Sequence, residues 1–459
     1  MIKLGNFIVW DIHDKRGKSI VTQLKKYGCN AIAVTNKEAL AEVLKIKFVD
    51  AVIIRADWDI LAGDAGKSDR TYLTTMEKPS ACMLVALCDE LSAQEQDTLI
   101  RSGFDDVLHE PVHIGQLITR LSGLSRLALM KRELCNRRRT LQKFMTIADP
   151  EDTGLNFVHD KFTQNFSEPH ILLIDINANE DGASHLYNQL RTYSEVHYCH
   201  DTQVAQTLLF TRDIDLTIIA APKSSNEAIA FVAELRNSPR LYNHPVMMQI
   251  ELESDCNLEK AFNAGLNDIV FGNPSIDELE ARTRAMLRHE LLRRQLAEEC
   301  SSANEVFVRD GLTGVYSHGF GMDHLKLLME EMNNSDRYLS VGSCAFNNLD
   351  AINRRFGHVA GDAILRQTAQ IIRRCVRGED MVARMNGSTF IITFPESNKA
   401  QANFAMSRLQ SILRHTMFTV PDDLETVSVQ TQQSLIEWHT GQSLQSVISG
   451  LSMPAALAA

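Results

Sequence analysis

The stretch RRCVRGEDMVARMNGSTFIITFP, Arg373 to Pro395, reads as a charged turn running into two short apolar runs on either side of Asn386-Gly387. Asn-Gly between such runs is a strong signal for an antiparallel hairpin, because both residues tolerate the positive φ of a tight turn. Further strand-like runs, LSVGSCAF and ETVSVQT, flank it with long helical segments between them. Residues 309–450, opening at VRDGLTGVYS, are therefore expected to form an α/β domain with an antiparallel-containing sheet covered on one side.

Upstream the pattern changes to alternation. NFIVWD, NAIAVT, VDAVIIRA, ACMLVALCD and DDVLHEP are five short apolar strands separated by amphipathic helices, which predicts a flavodoxin-like doubly wound parallel sheet over residues 1–125. HILLIDIN, EVHYCH, IDLTIIAAP, HPVMMQIE and NDIVFGNP repeat the order, so 168–287 reads as a diverged internal copy. Between them, 126–167 combines a basic amphipathic helix, SRLALMKRELCNRRRTLQKFM, with a polar Pro- and Gly-punctuated linker. Residues 288–308 continue a charged helical stalk, and 451–459 form a small apolar tail expected to fray.

At 459 residues the chain is long enough for about three cores. No apolar run is long enough to span a bilayer, and the N-terminus has no cationic lead or small-residue cleavage site. The expectation is a cytoplasmic protein without membrane insertion. A net charge of -11 argues against a nucleic-acid partner. The nine cysteines are scattered singly, without a C-x-x-C pair or a His at ligand spacing, so no metal site is expected and the thiols read as reduced.

Three motifs in order, RDGLTGVYS, INRRFGHVAGDAIL and RGEDMVARMNGSTF, resemble those of the GGDEF family of diguanylate cyclases. With the two upstream copies, the chain resembles response regulators of the PleD/PopA type, in which two CheY-like receiver domains precede a GGDEF domain. That resemblance implies a reaction and a set of site positions. Joining two GTP molecules is phosphoryl transfer, in which carboxylates hold metal ions against the phosphates. Here the family's first carboxylate position is Ala345, and its signature turn reads Asn386, Gly387, Ser388, Thr389 and Phe390. Asp350 stands at a phosphate-covering lysine position, and no basic C-terminal stretch is evident. The expectation is no enzyme, with no cofactor and no Mg. Asn353 and Asp362 match the family's guanine-reading residues, a vestigial nucleotide site; the alternative is structural, Asn353 following a strand and Asp362 starting a helix.

Arg377 and Asp380 stand where the family carries its R-x-x-D site for cyclic di-GMP, and Arg408 matches an arginine that completes it; a second such position is Phe404. Arginine offers a planar fork to guanine O6/N7 or phosphate, while a carboxylate accepts from guanine N1 and N2. Asp310 and Arg384 are expected to pair at the opening turn of the fold. In the first receiver copy only Asp11 remains of the phosphorylation set: Arg55 holds the acceptor position, Ala86 the hydroxyl position and Glu110 the lysine position. A reversed Arg55–Glu110 ion pair is expected, Asp57 serving as acceptor only if the register slipped by two. In the second copy Asp175 remains, with Ala220, Ile250 and Asn273 at the other positions. The implied function is a non-catalytic cyclic di-GMP effector or adaptor, a homodimer meeting protein partners through its receivers, for regulated proteolysis or placement at the cell pole. The alternatives are a residual diguanylate cyclase and a ligand-independent dimeric scaffold. Leu457, Ala458 and Ala459 also resemble a degradation signal read by ClpXP.

Overall fold

The computed structural model describes residues 5–11, 16–46, 49–56, 82–89, 95, 98–99, 104–110, 112, 114–145, 169–176, 182–221, 226–238, 240–251, 256–298, 308–333, 337–421 and 425–451. Asp57, the polar part of the expected linker and the tail with Leu457, Ala458 and Ala459 lie outside them. The chain divides into two units: 1–132, 154–236 and 244–292 in one, 133–153, 237–243 and 293–459 in the other.

The first unit holds two parallel sheets. One is built from β1 (Asn6–Asp11), α1 (Gly17–Lys26), β2 (Asn30–Val34), α2 (Lys37–Ile46), β3 (Ala51–Arg55), β4 (Met83–Cys88), β5 (Asp106–His109) and α3 (Ile114–Met145). The other contains β6 (His170–Asp175), α4 (Gly182–Leu190), β7 (Glu195–Cys199), α5 (Thr202–Thr211), β8 (Leu216–Ala220), α6 (Asn226–Asn237), β9 (Val246–Ile250), α7 (Leu258–Asn263), β10 (Asp268–Phe271) and α8 (Ile276–Glu298). Their strand orders, β2-β1-β3-β4-β5 and β7-β6-β8-β9-β10, are the same flavodoxin-like order. Central strands such as MLVALC and LTIIA are buried at every residue, since helices cover both faces of a parallel sheet and leave no polar side. The repeat extends to charges: Asp106 pairs with Arg120 and Asp268 with Arg282, each acid opening the fifth strand and each arginine on the helix that follows.

In the second unit α9 (His318–Met332), β11 (Leu339–Phe346), α10 (Leu349–Phe356), α11 (His358–Cys375), β12 (Met381–Asn386), β13 (Thr389–Pro395), α12 (Lys399–His415), β14 (Phe418–Thr419), β15 (Thr426–Val427), β16 (Thr431–Trp438) and α13 (Leu444–Gly450) follow in order. Four strands form an antiparallel sheet, β12-β13-β11-β16. The Asn386-Gly387 hairpin is present, with Gly387 at φ 45° where a side chain would be strained.

Two expectations are corrected. The sheet is covered on both faces: Ile352, Ile372, Leu409 and Phe390 pack on one, Leu325, Leu328, Ile391 and Val447 on the other. LSVGSCAF fits this, for all eight of its residues are buried, as in a strand covered on both faces. ETVSVQT is not one strand; it supplies β15 and only the first residue of β16, whose polar TQQSLIEW is half exposed along its length and carries a weak strand signal. The expected basic helix is present as the later part of α3, which runs unbroken for 32 residues. Two of its arginines pair in the interior: Arg132 is buried against Asp50 and Arg137 against Glu133.

Candidate functional site

The turn Arg377–Asp380 joins α11 to β12. Asp380 closes it, its Oδ2 accepting from the Arg377 backbone N–H at 2.8 Å while its own N–H donates to the Arg377 carbonyl at 3.2 Å. The turn is held from behind by α3. Arg137 Nη2 donates to the carbonyls of Gly378, Glu379 and Asp380 at 3.2, 3.2 and 3.1 Å. Its Nε donates to Glu133 Oε1 at 2.7 Å, and the same oxygen meets His324 Nε2 at 3.0 Å, with His324 Nδ1 on Thr140 Oγ1 at 3.1 Å. Burial opposes the Glu133 charge, but the charges of His324 and Arg137 outweigh it and hold the carboxyl below its ordinary range.

Tyr242 draws the expected ligand residues together. Its ring lies under the Arg408 guanidinium, 3.7 Å from carbon to ring centre, and its hydroxyl is hydrogen-bonded to Arg377. Desolvation by its neighbours opposes the Arg377 charge, yet Tyr242, Glu379 and Asp380 more than offset it, so the group stays protonated. Arg408 also donates to the Cys375 carbonyl, and Asn243 Nδ2 donates to the Val376 carbonyl at 3.0 Å. One helical turn before Arg408, Phe404 is 77% exposed. Arg377 and Arg408 thus meet at Tyr242, and Asp380 closes the turn beside Arg377. Sequence reasoning missed Tyr242 and Arg137: neither belongs to a motif, and each lies more than a hundred residues from the turn.

The nucleotide positions depart from the structural alternative. Asn353 lies within α10, not after a strand, and its Oδ1 is buried without a hydrogen bond among the described residues, beside Gly361, where an added Cβ would lie 1.9 Å from it. Asp362 does not cap α11; Gly357, at φ 83°, stands at the N-cap. Ala345 is buried in β11 opposite Thr389, Ser388 Oγ donates to the Phe346 carbonyl at 3.2 Å, and Asp350 is exposed in the first turn of α10. Asp310 Oδ1 accepts from Arg384 at 2.9 Å and from the Thr313 hydroxyl at 2.6 Å.

At the carboxyl end of the first parallel sheet, Arg55 Nη2 donates to Glu110 Oε2 at 2.7 Å and Nη1 to Asp11 Oδ1 at 3.3 Å. Asp11 Oδ2 accepts the Arg16 and Gly17 backbone N–H groups at 2.8 and 2.7 Å, so the start of α1 and Arg55 share its charge. Ala86 is buried in β4. In the second sheet Asp175 accepts from the Tyr198 hydroxyl at 3.1 Å; burial and that carboxylate push the hydroxyl pKa up to about 12. Ala220 and Ile250 end their strands in the core, and Asn273 is exposed.

Residues 307–450 match the family described as "Diguanylate cyclase, GGDEF domain". Over 332 residues, 72% of this chain and 70% of the relative, the sequence is 24% identical to the response regulator PleD of Caulobacter vibrioides. A 136-residue part is 25% identical to the probable diguanylate cyclase DgcE of Escherichia coli, covering 30% of this chain and 12% of that protein. Among solved structures, the GGDEF domain of DgcB from Caulobacter crescentus in complex with c-di-GMP is 20% identical, with a TM-score of 0.30, covering 31% of this chain and 81% of that one. Residues 307–450 thus carry a GGDEF domain, and the longer stretch is similar to a response regulator that has one. These matches overturn the expectation that it is no enzyme. The family matched is one of diguanylate cyclases, and the changes at Ala345 and Ser388 leave residues 307–450 within it. No helix of the described residues is long and apolar enough to cross a membrane.

Proposed function

We propose that the protein binds cyclic di-GMP through Arg377, Asp380 and Arg408, and that binding changes how the chain docks a protein partner. The observation that carries this reading is that Tyr242 joins the two arginines, its ring under Arg408 and its hydroxyl on Arg377, while Asp380 closes the Arg377 turn. Two arginines on one flat ring, with a carboxylate closing the turn that carries Arg377, are the groups a guanine base and its phosphate require. In this reading Tyr242 occupies the place of a guanine base, and ligand exchanges for it on the Arg408 face. Partner docking through the parallel sheets of a homodimer, for regulated proteolysis or placement at the pole, is the biological use proposed. No metal is needed for that binding, because the arginines supply the charge that faces the phosphates.

A second reading, diguanylate cyclase turnover, is favoured by the family match of residues 307–450. Calorimetric titration with cyclic di-GMP, beside a magnesium-dependent GTP turnover assay, tests both. The first reading expects binding that Arg377→Ala abolishes and Tyr242→Ala strengthens, about tenfold if the ring competes with ligand by about 1.4 kcal/mol. Wild-type protein that binds no cyclic di-GMP would end it, and linear formation of cyclic di-GMP from GTP would establish the second.

A further inference from the structure

The edge of the second parallel sheet carries a cluster unrelated to the nucleotide residues. In the pairing of β6 with β7, His170 stands opposite Glu195 and Leu172 opposite His197. Side chains alternate along a strand, so Glu195 and His197 share one face of β7, and His170 reaches that face from the neighbouring strand. The two imidazoles lie nearly parallel, 12° apart with centres 5.9 Å from each other. Glu195 sits against both, Oε2 at 3.5 Å from His170 Nδ1 and Oε1 at 3.6 Å from His197 Nε2. One ligand atom from each residue falls within 4.8 Å of the others.

We propose that His170, Glu195 and His197 bind a divalent late transition metal, zinc by the chemistry of the set. Two imidazole nitrogens and one carboxylate oxygen suit Zn²⁺, whereas Mg²⁺ and Ca²⁺ take oxygen ligands. Neutral imidazoles with one carboxylate leave a single negative charge for the cation to meet. Metal bonds of about 2.0–2.1 Å require the ligand atoms to stand about 3.3 Å apart. The approach is small for His170 and Glu195, whose side chains are 44% and 54% exposed and free to rotate. His197 is the more enclosed partner, at 15%, and its Nε2 is buried with no hydrogen bond among the described residues. A buried polar nitrogen without a partner is uncommon, and a metal bond satisfies it. Three protein ligands leave a fourth position for water or for a donor from another molecule. The site lies at the amino ends of β6 and β7, while Asp175 ends β6 at the opposite edge.

The test is zinc chloride titrated into the chelator-stripped full chain, by calorimetry and by equilibrium dialysis, beside His170→Ala, His197→Ala and Glu195→Gln. Cobalt replaces zinc in parallel, for its visible absorption in a tetrahedral nitrogen-oxygen site. The expected result is about one equivalent of zinc, lost in both histidine variants and weakened in Glu195→Gln, with the cobalt absorption lost in step. Equal zinc stoichiometry and equal cobalt spectra in all four proteins would overturn the proposal, since bound metal would then sit on the cysteines. So would the absence of zinc binding by the wild type, which would leave the cluster a surface ion pair. His170 and Glu195 are exposed, so their variants keep the test valid if His197→Ala fails to fold.

Discussion

Arg55 shows how one substitution rewrites a site. At the carboxyl end of β3 it sets a cation between two carboxylates, and Glu110 and Asp11 close on it at 2.7 and 3.3 Å. Glu110 first, then Asp11, hold its guanidinium above the ordinary arginine value against the cost of burial. Removing the arginine alone leaves two crowded carboxylates. Arg55→Ala is expected to cost about 3 kcal/mol in urea denaturation, and Arg55→Ala with Glu110→Ala less than the sum of the single changes. Additive losses would show that the pair carries no coupling. Both partners were readable in the sequence because each falls at a known offset in the repeat. The role of Asp11 as a third partner was not, since it depends on where the start of α1 places two backbone N–H groups.

Among the elements, α3 does the most. As a string it is a basic amphipathic segment, yet Arg137 donates to three successive carbonyls of the Arg377–Asp380 turn and pairs with buried Glu133. Arg137→Ala would leave those carbonyls and an anionic Glu133 without the cation. The expected outcome is a loss of about 3 kcal/mol in the C-terminal unit, together with weaker cyclic di-GMP binding than Arg137→Lys retains. A variant that unfolds at the wild-type urea midpoint would show that the clamp is not structural. The Asp106–Arg120 and Asp268–Arg282 pairs repeat one device in both parallel sheets. Arg282 is enclosed, donating to both Asp268 oxygens at 3.1 Å and to the Ile269 carbonyl at 2.8 Å. Apolar strand patterns announced the duplication; its charge pairs emerge only when helix and strand are packed.

For the protein as a whole, acid is the informative stress. Burial opposes the charges of Glu133 and Asp310, but His324 and Arg137 around the first, and Thr313 and Arg384 around the second, hold both below their ordinary values. A carboxylate depressed in the folded state lends stability that is fully present above its unfolded value, about 4, and is lost as pH falls through the folded value. The C-terminal unit should therefore keep its urea midpoint from pH 7 to about 5 and lose it steeply below about 4. Asp310→Asn should flatten that acid slope, measured by Trp438 fluorescence; an unchanged slope would remove Asp310 from the account.

The two doubly wound sheets, the antiparallel domain with its Asn-Gly hairpin, and the positions of Arg377, Asp380 and Arg408 were all legible along the chain. Periodicity and motif offsets are local, and a few residues suffice to express them. What meets those residues was settled by packing alone: Tyr242 on Arg408, Arg137 behind the turn, and His170 beside Glu195 and His197 across two strands. Contacts between residues far apart in the chain leave no periodic trace. They follow from which faces bury together, and a buried arginine or histidine reads in the sequence like an exposed one.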